Sequence, residues 1–84
     1  MFYVYILQNK NNLIYIGYSA DLKRRVIEHN NGKVKSTRSK GPWRLVYYEA
    51  FLGKQDAQNR EKTLKNYGST LGHLKKRIQF SLLA

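Results

Sequence analysis

Glu61 is the residue from which a catalytic reading starts. It is one of three Glu, and one of five carboxylates set against 16 Lys and Arg, in a chain of 84 residues. Ala57 and Leu64 flank it at helical spacing. Around a helix axis Glu61 lies about 40° from the first and about 60° from the second. It therefore borders a buried stripe, where a carboxylate is costly unless a cation meets it. Lys65, four residues on, is one such cation, and pairs of this kind are usual on helices. A divalent metal is another. Arg25 and His29 also stand four apart, beside the apolar pair Leu22 and Val26. An Arg held at a core edge offers a planar fork to phosphate oxygens, or pairs with Asp21 or Glu28 at helical distance. His29 is either a proton carrier near neutral pH or a partly buried structural imidazole.

Seven Tyr are present. Five of them (Tyr3, Tyr5, Tyr15, Tyr47 and Tyr48) fall in strand-like runs, where a tyrosine ordinarily serves the core or the sheet surface. Gly17 weakens the strand it sits in unless a backbone or ligand must come close there.

The setting is strongly basic, with a net charge of +11 and a pI of about 10.1. Such a field recruits polyanions, either nucleic acid or an anionic membrane surface. With no Cys there is no disulfide, thiolate zinc site or catalytic thiol, and two His with five carboxylates leave any metal site sparse. Hydrophobic residues at 42% and aromatics at 13% exclude a disordered basic tail. The uncharged opening, Met1 to Asn9, is far short of the roughly 20 residues of a membrane span. It also lacks the basic flank of a signal peptide. One domain over 1–84 in the cytoplasm is the expectation.

The elements that must position these residues read as follows. Phe2 to Leu7 is a strand, apolar or aromatic on both faces and hence an inner one. Asn9 to Asn12 turns into a second strand, Leu13 to Tyr18, giving an antiparallel hairpin. Ser19 caps a helix from Ala20 to about Asn31, with Asp21 in its first turn and Asn31-Gly32 as its stop. Lys33, Lys35, Thr37, Arg38 and Lys40 lie in an acid-free stretch that reads as an exposed basic loop, and Arg44 follows just after it. These six are the candidate contacts to a nucleic-acid backbone. Trp43 to Phe51 is a third strand. Gln55 to Tyr67 is a helix stopped by Gly68. A last helix carries Leu71, Leu74, Ile78 and Leu82. That last stripe is an ordinary core stripe and not a membrane-interface face, so nucleic acid is the favoured partner. The order is β-β-α-β-α-α: an α+β fold with a small three-stranded antiparallel sheet flanked by helices.

Tyr3-Val4-Tyr5, followed by Tyr15-Ile16-Gly17, resembles the motif pair of the GIY-YIG nuclease superfamily. Arg25 falls where that family keeps a phosphate-binding Arg, His29 at a position that is His or Tyr, and Glu61 at the metal-ligand Glu. Asn30-x-Gly32 and the stretch from Thr37 to Tyr47 resemble the small single-domain bacterial branch. They are also similar to the nuclease domain of the endonuclease subunit that cuts branched DNA. Tyr3 replaces the Gly of the first motif, Tyr18 replaces a Lys found in some members, and the late Asn has no clean counterpart. The resemblance implies hydrolysis of DNA phosphodiesters on branched, damaged or single-stranded substrates, in repair or recombination, with a partner protein as a possible source of specificity. It implies one Mg²⁺ or Mn²⁺ at Glu61, phosphate neutralisation by Arg25, and a water positioned or deprotonated by Tyr15 with Tyr5, or by His29. A noncatalytic nucleic-acid-binding module that keeps the fold is the alternative. For Tyr5 and Tyr15 to share a site, paired residues of the first hairpin must have an even sum. That requires a three- or five-residue loop or a bulge.

Overall fold

Alternation along the first strand divides the molecule into two layers. The computed structural model describes residues 1–84, and β1 runs over Phe2–Gln8. Val4 and Ile6 point to one side and join Ile16, Ala57, Leu64, Leu74 and Ile78 in the larger core. Tyr5 and Leu7 point to the other side and join Trp43, with Tyr15, Leu22 and Val26 against them. Both faces of β1 are therefore covered, which is why its side chains read as continuously apolar.

β2 covers Ile14–Ser19 and β3 covers Arg44–Phe51, in the order β2-β1-β3, both antiparallel to β1. Leu7 lies opposite Tyr15 and Tyr5 opposite Gly17, so the register is even. Gln8 pairs with Ile14, which leaves a five-residue connection. Asn9 organises it: its Oδ1 accepts from the Asn11 and Leu13 amides, and Asn12 takes the left-handed conformation with φ 65°.

Helix α1 spans Leu22–Asn30 and lies on the Tyr5 face. Its N-cap is Asp21, whose carboxylate accepts from the Arg24 amide; the helix therefore starts two residues later than a Ser19 cap would set it. Ser19 Oγ instead closes a local turn with the Asp21 backbone. Helix α2, Lys54–Asn66, packs Ala57 and Leu64 on the opposite face of the sheet. Gly68 does not stop it: Tyr67 is extended, and Gly68 opens α3, Gly68–Arg77. A short α4, Gln79–Leu83, follows Ile78, so the final segment is two helices where one was expected. No helix is long and apolar enough to cross a membrane.

The basic stretch after α1 is not uniformly exposed. Lys33, Lys35, Arg38 and Lys40 face solvent, but Val34 and Thr37 are buried. Thr37 is therefore corrected from a surface contact to an internal one. The cause is a tight turn, with the Thr37 and Arg38 amides bonded to the Val34 carbonyl, that tucks the intervening side chain inward. Trp43 Nε1 donates to the Thr37 carbonyl at 2.9 Å, and the Asn30 amide clamps the Trp43 backbone at both N and O. Asn9 Nδ2 adds a bond to the Lys40 carbonyl.

Candidate active site

The even register brings Tyr5 and Tyr15 to one sheet face, where α1 lowers His29 between them. The Tyr5 and Tyr15 ring centroids are 6.5 Å apart, and Tyr15 stands 4.9 Å from the His29 ring, edge to face. Gly17 makes the arrangement possible. A Cβ on Gly17 would lie 2.8 Å from Tyr5 Cε2 and closer still to Cζ and the hydroxyl. The second motif's glycine is the space that the first motif's phenol occupies. Tyr3 stands further along the same face, edge-on to Tyr48.

His29 is 1% exposed and both ring nitrogens are engaged. Nε2 meets the Tyr5 hydroxyl at 2.8 Å and Nδ1 meets Thr37 Oγ1 at 2.7 Å. Burial lowers the His29 pKa below its usual 6.5, and the Arg25 charge lowers it further. The imidazole is therefore neutral at pH 7. Burial likewise pushes the Tyr5 phenol up to about 12, outweighing the opposing effect of Arg25. The Arg25 charge favours the phenolate, but desolvation dominates.

Arg25 reaches toward Tyr5 and pairs with Glu28 at 3.2 Å, one of its two expected acidic partners. Glu28 also holds Arg24 at 3.2 Å, and the Arg25 hydrogen bond draws its pKa down. Glu61 makes the expected helical pair with Lys65 at 3.1 Å, and the Lys65 ammonium lies 5.7 Å from the centre of the Tyr15 ring. The Glu61–Lys65 pair thus approaches the tyrosine face around the β2 edge, with the lysine nearest the ring. Arg44 turns elsewhere, to Gln8 Oε1 and the Leu82 carbonyl. No group of three or more His, Cys, Asp or Glu is assembled anywhere.

A single part-exposed carboxylate beside solvent fits a Mg²⁺-type ion, which keeps most of its waters and needs one or two protein oxygens. Glu61 would hold such an ion in competition with Lys65. Tyr15 is half-buried. With Tyr5 and His29 both 1% exposed, Tyr15 is the aromatic group of the cluster that solvent reaches.

The buried neutral His29 makes stability depend on pH. Its folded pKa is below the unfolded 6.5, so the unfolded chain binds the extra proton first. The associated stability is complete above 6.5 and is lost as pH falls below it. Thermal melts from about pH 7.5 down to about pH 5.5 should show a falling Tm in the wild type and a flatter limb in His29→Gln. Equal slopes would contradict a buried neutral imidazole. The Glu28 and Glu49 carboxylates, held down by Arg partners, add a separate loss below about 4.5.

A model of the GIY-YIG catalytic domain matches residues 1–71. Over 66 residues the chain is 47% identical to a UPF0213 protein of Clostridium perfringens, covering 77% of this chain and 71% of that one. A UPF0213 protein of Staphylococcus saprophyticus is 41% identical over 66 residues, covering 77% and 80%. Among solved structures, the solution NMR structure of a UPF0213 protein from Bacillus halodurans superimposes with a TM-score of 0.54 at 41% identity. It covers 89% of this chain and 86% of that one.

Proposed function

The chain belongs to the GIY-YIG catalytic-domain family, and from that membership we propose that it is a metal-dependent DNA endonuclease or nickase. The family supports a nuclease-type function, a nucleic-acid substrate and divalent-metal dependence in general terms. The observation that carries the finer reading is the convergence of Tyr5, Tyr15, Arg25 and His29 on one face, with the Glu61–Lys65 pair approaching it around the β2 edge.

The chemistry is in-line attack of water on a phosphodiester. Arg25, 37% exposed along its side chain, exchanges Glu28 for the phosphoryl oxygens and neutralises their growing charge. Because Arg25 adjoins Tyr5, the same movement admits water to the phenol oxygen. Tyr15, with its hydroxyl committed to no protein partner, orients that water. As the water gives its proton to the Tyr5 oxygen, Tyr5 passes its own to His29 Nε2, so the phenol stays neutral throughout. A divalent ion at Glu61, when bound, supplies Lewis-acid stabilisation of the leaving oxygen. The exposed Lys33, Lys35, Arg38 and Lys40 contact backbone phosphates and read no bases, which suits structure-selective or nonspecific cutting.

Binding should be electrostatic. If about five phosphates are neutralised, log K should fall with log salt at a slope of about −4 to −5 on duplex DNA. Alanine at Lys35, Arg38 and Lys40 should flatten it, whereas a wild-type slope near zero would remove nucleic acid as the partner. The function itself is tested on end-labelled junctions, flaps, nicked and linear duplexes and single strands with Mg²⁺, Mn²⁺ or EDTA. Metal-dependent products from at least one substrate support it. Binding without cleavage on every substrate with either metal would establish the noncatalytic module instead.

A further inference from the structure

We infer that Thr37 is a positioning residue that fixes the tautomer of His29, placing the proton on Nδ1 and the lone pair of Nε2 toward Tyr5. The inference comes from counting protons in a sealed network. Tyr5 is 1% exposed, His29 1% and Thr37 0%, so bulk solvent does not reach their polar groups. The hydrogen-bond partner of the Tyr5 hydroxyl is His29 Nε2, at 2.8 Å. If Nε2 carried the proton, the Tyr5 O–H would be a buried donor without an acceptor, a costly state. The Arg25 cation beside the phenol oxygen turns that oxygen's lone pairs toward itself and its proton away, to Nε2. Nε2 is therefore the acceptor, and Nδ1–H donates to Thr37 Oγ1 at 2.7 Å. The Thr37 hydroxyl proton then points to the Val34 carbonyl, 3.5 Å away.

The hydroxyl is held to this task by the turn that carries it. Its own carbonyl accepts from Trp43 Nε1 at 2.9 Å, and Asn30 grips the Trp43 backbone at 2.7 and 2.8 Å. The outer surface of the turn presents Lys35 and Arg38 to solvent. One segment thus shows cations to the polyanion and, on its inner side, orients the imidazole. A hydroxyl differs from a carboxylate in this place. It accepts the Nδ1 proton without adding a negative charge that would hold the imidazole protonated. The groups facing His29 are Tyr5 and Tyr15 from the sheet, Arg25 and Glu28 from its own helix, and Thr37 from the turn.

The tautomer needs no substrate to be read. Its catalytic consequence rests on the nuclease reading above. The experiment is ¹⁵N NMR of the His29 ring in the whole protein at a pH where it is neutral, for wild type, Thr37→Val and Thr37→Ser. Wild type and Thr37→Ser should show a protonated Nδ1 and an unprotonated Nε2. Thr37→Val, isosteric but without the hydroxyl, should shift the population toward protonated Nε2. On a substrate that wild type cuts, Thr37→Val should lower the single-turnover rate by about 10- to 100-fold with binding unchanged, and Thr37→Ser should restore it. A protonated Nε2 in wild type would overturn the inference, and that measurement stands even if Thr37→Val does not fold. An unchanged tautomer in folded Thr37→Val would overturn it as well. If the tautomer is as stated and no substrate is cut, the nuclease reading fails and the positioning role survives.

Discussion

Glu61→Gln is expected to lower DNA cleavage by about three orders of magnitude or more while leaving the fold intact. Metal stabilisation of a phosphoryl-transfer transition state is worth several kcal/mol, at about 1.4 kcal/mol per tenfold in rate. Gln keeps the shape of Glu and removes the negative charge that the proposed ion needs. The Glu61–Lys65 pair at 3.1 Å is an i,i+4 bridge on a helix surface, so its loss should cost only a few tenths of a kcal/mol. Affinity for DNA in EDTA should hold or rise, because a negative charge has left a basic surface. Arg25→Ala, run beside it, should lose cleavage and some affinity together, the pattern expected of a guanidinium that takes the phosphoryl oxygens as proposed. A Gln variant that cuts as well as wild type would reduce Glu61 to a partner of Lys65.

The second large effect is expected at Gly17. In Gly17→Ala the new methyl lies inside the van der Waals envelope of the Tyr5 ring, 2.8 Å from Cε2 and nearer to the ring's end. The ring has little room to yield: it is 1% exposed, opposite Gly17 in the sheet, and tied to His29 at 2.8 Å. Overpacking of this kind costs about 1–3 kcal/mol, or a Tm lower by several degrees at roughly 4–8 °C per kcal/mol in a domain of this size. Cleavage should fall further than stability does, because any shift that relieves the clash takes the phenol off Nε2. The check is Tm and single-turnover rate on the same preparation. An Ala variant with wild-type values for both would show that the close approach is dispensable.

The fold was legible because its determinants are local and periodic. Val4 and Ile6 alternate with Tyr5 and Leu7, and Ala57 and Leu64 recur at helical spacing. The requirement that two tyrosines share a face sets the parity of the hairpin register, and the five-residue connection between Gln8 and Ile14 meets it. The cap of α1 was misread because Ser19 and Asp21 are both good N-caps, and which one wins depends on a turn that Ser19 closes with the Asp21 backbone. Gly68 was misread because a glycine after a helical run can end one helix or begin the next. Thr37 shows the deeper limit. Among Lys33, Lys35, Arg38 and Lys40 it looks like one more polar loop residue, and its burial follows from the turn at Val34 and the distant clamp between Asn30 and Trp43. The placement of Lys65 over Tyr15 is likewise tertiary. The inner strand implies the burial of Tyr5, and a buried imidazole is one of the two readings of His29, but the closure of both ring nitrogens by Tyr5 and Thr37 has no signature in spacing.

The most direct test of the account is the single-turnover cleavage rate of the wild-type protein as a function of Mg²⁺ concentration on its best substrate. On the proposed reading Glu61 is the one carboxylate ligand, and a single ion serves the reaction. The rate should be zero in EDTA and rise hyperbolically to a plateau, with a Hill coefficient of about 1. Cleavage that persists in EDTA, or a steep dependence with a coefficient near 2, would contradict it.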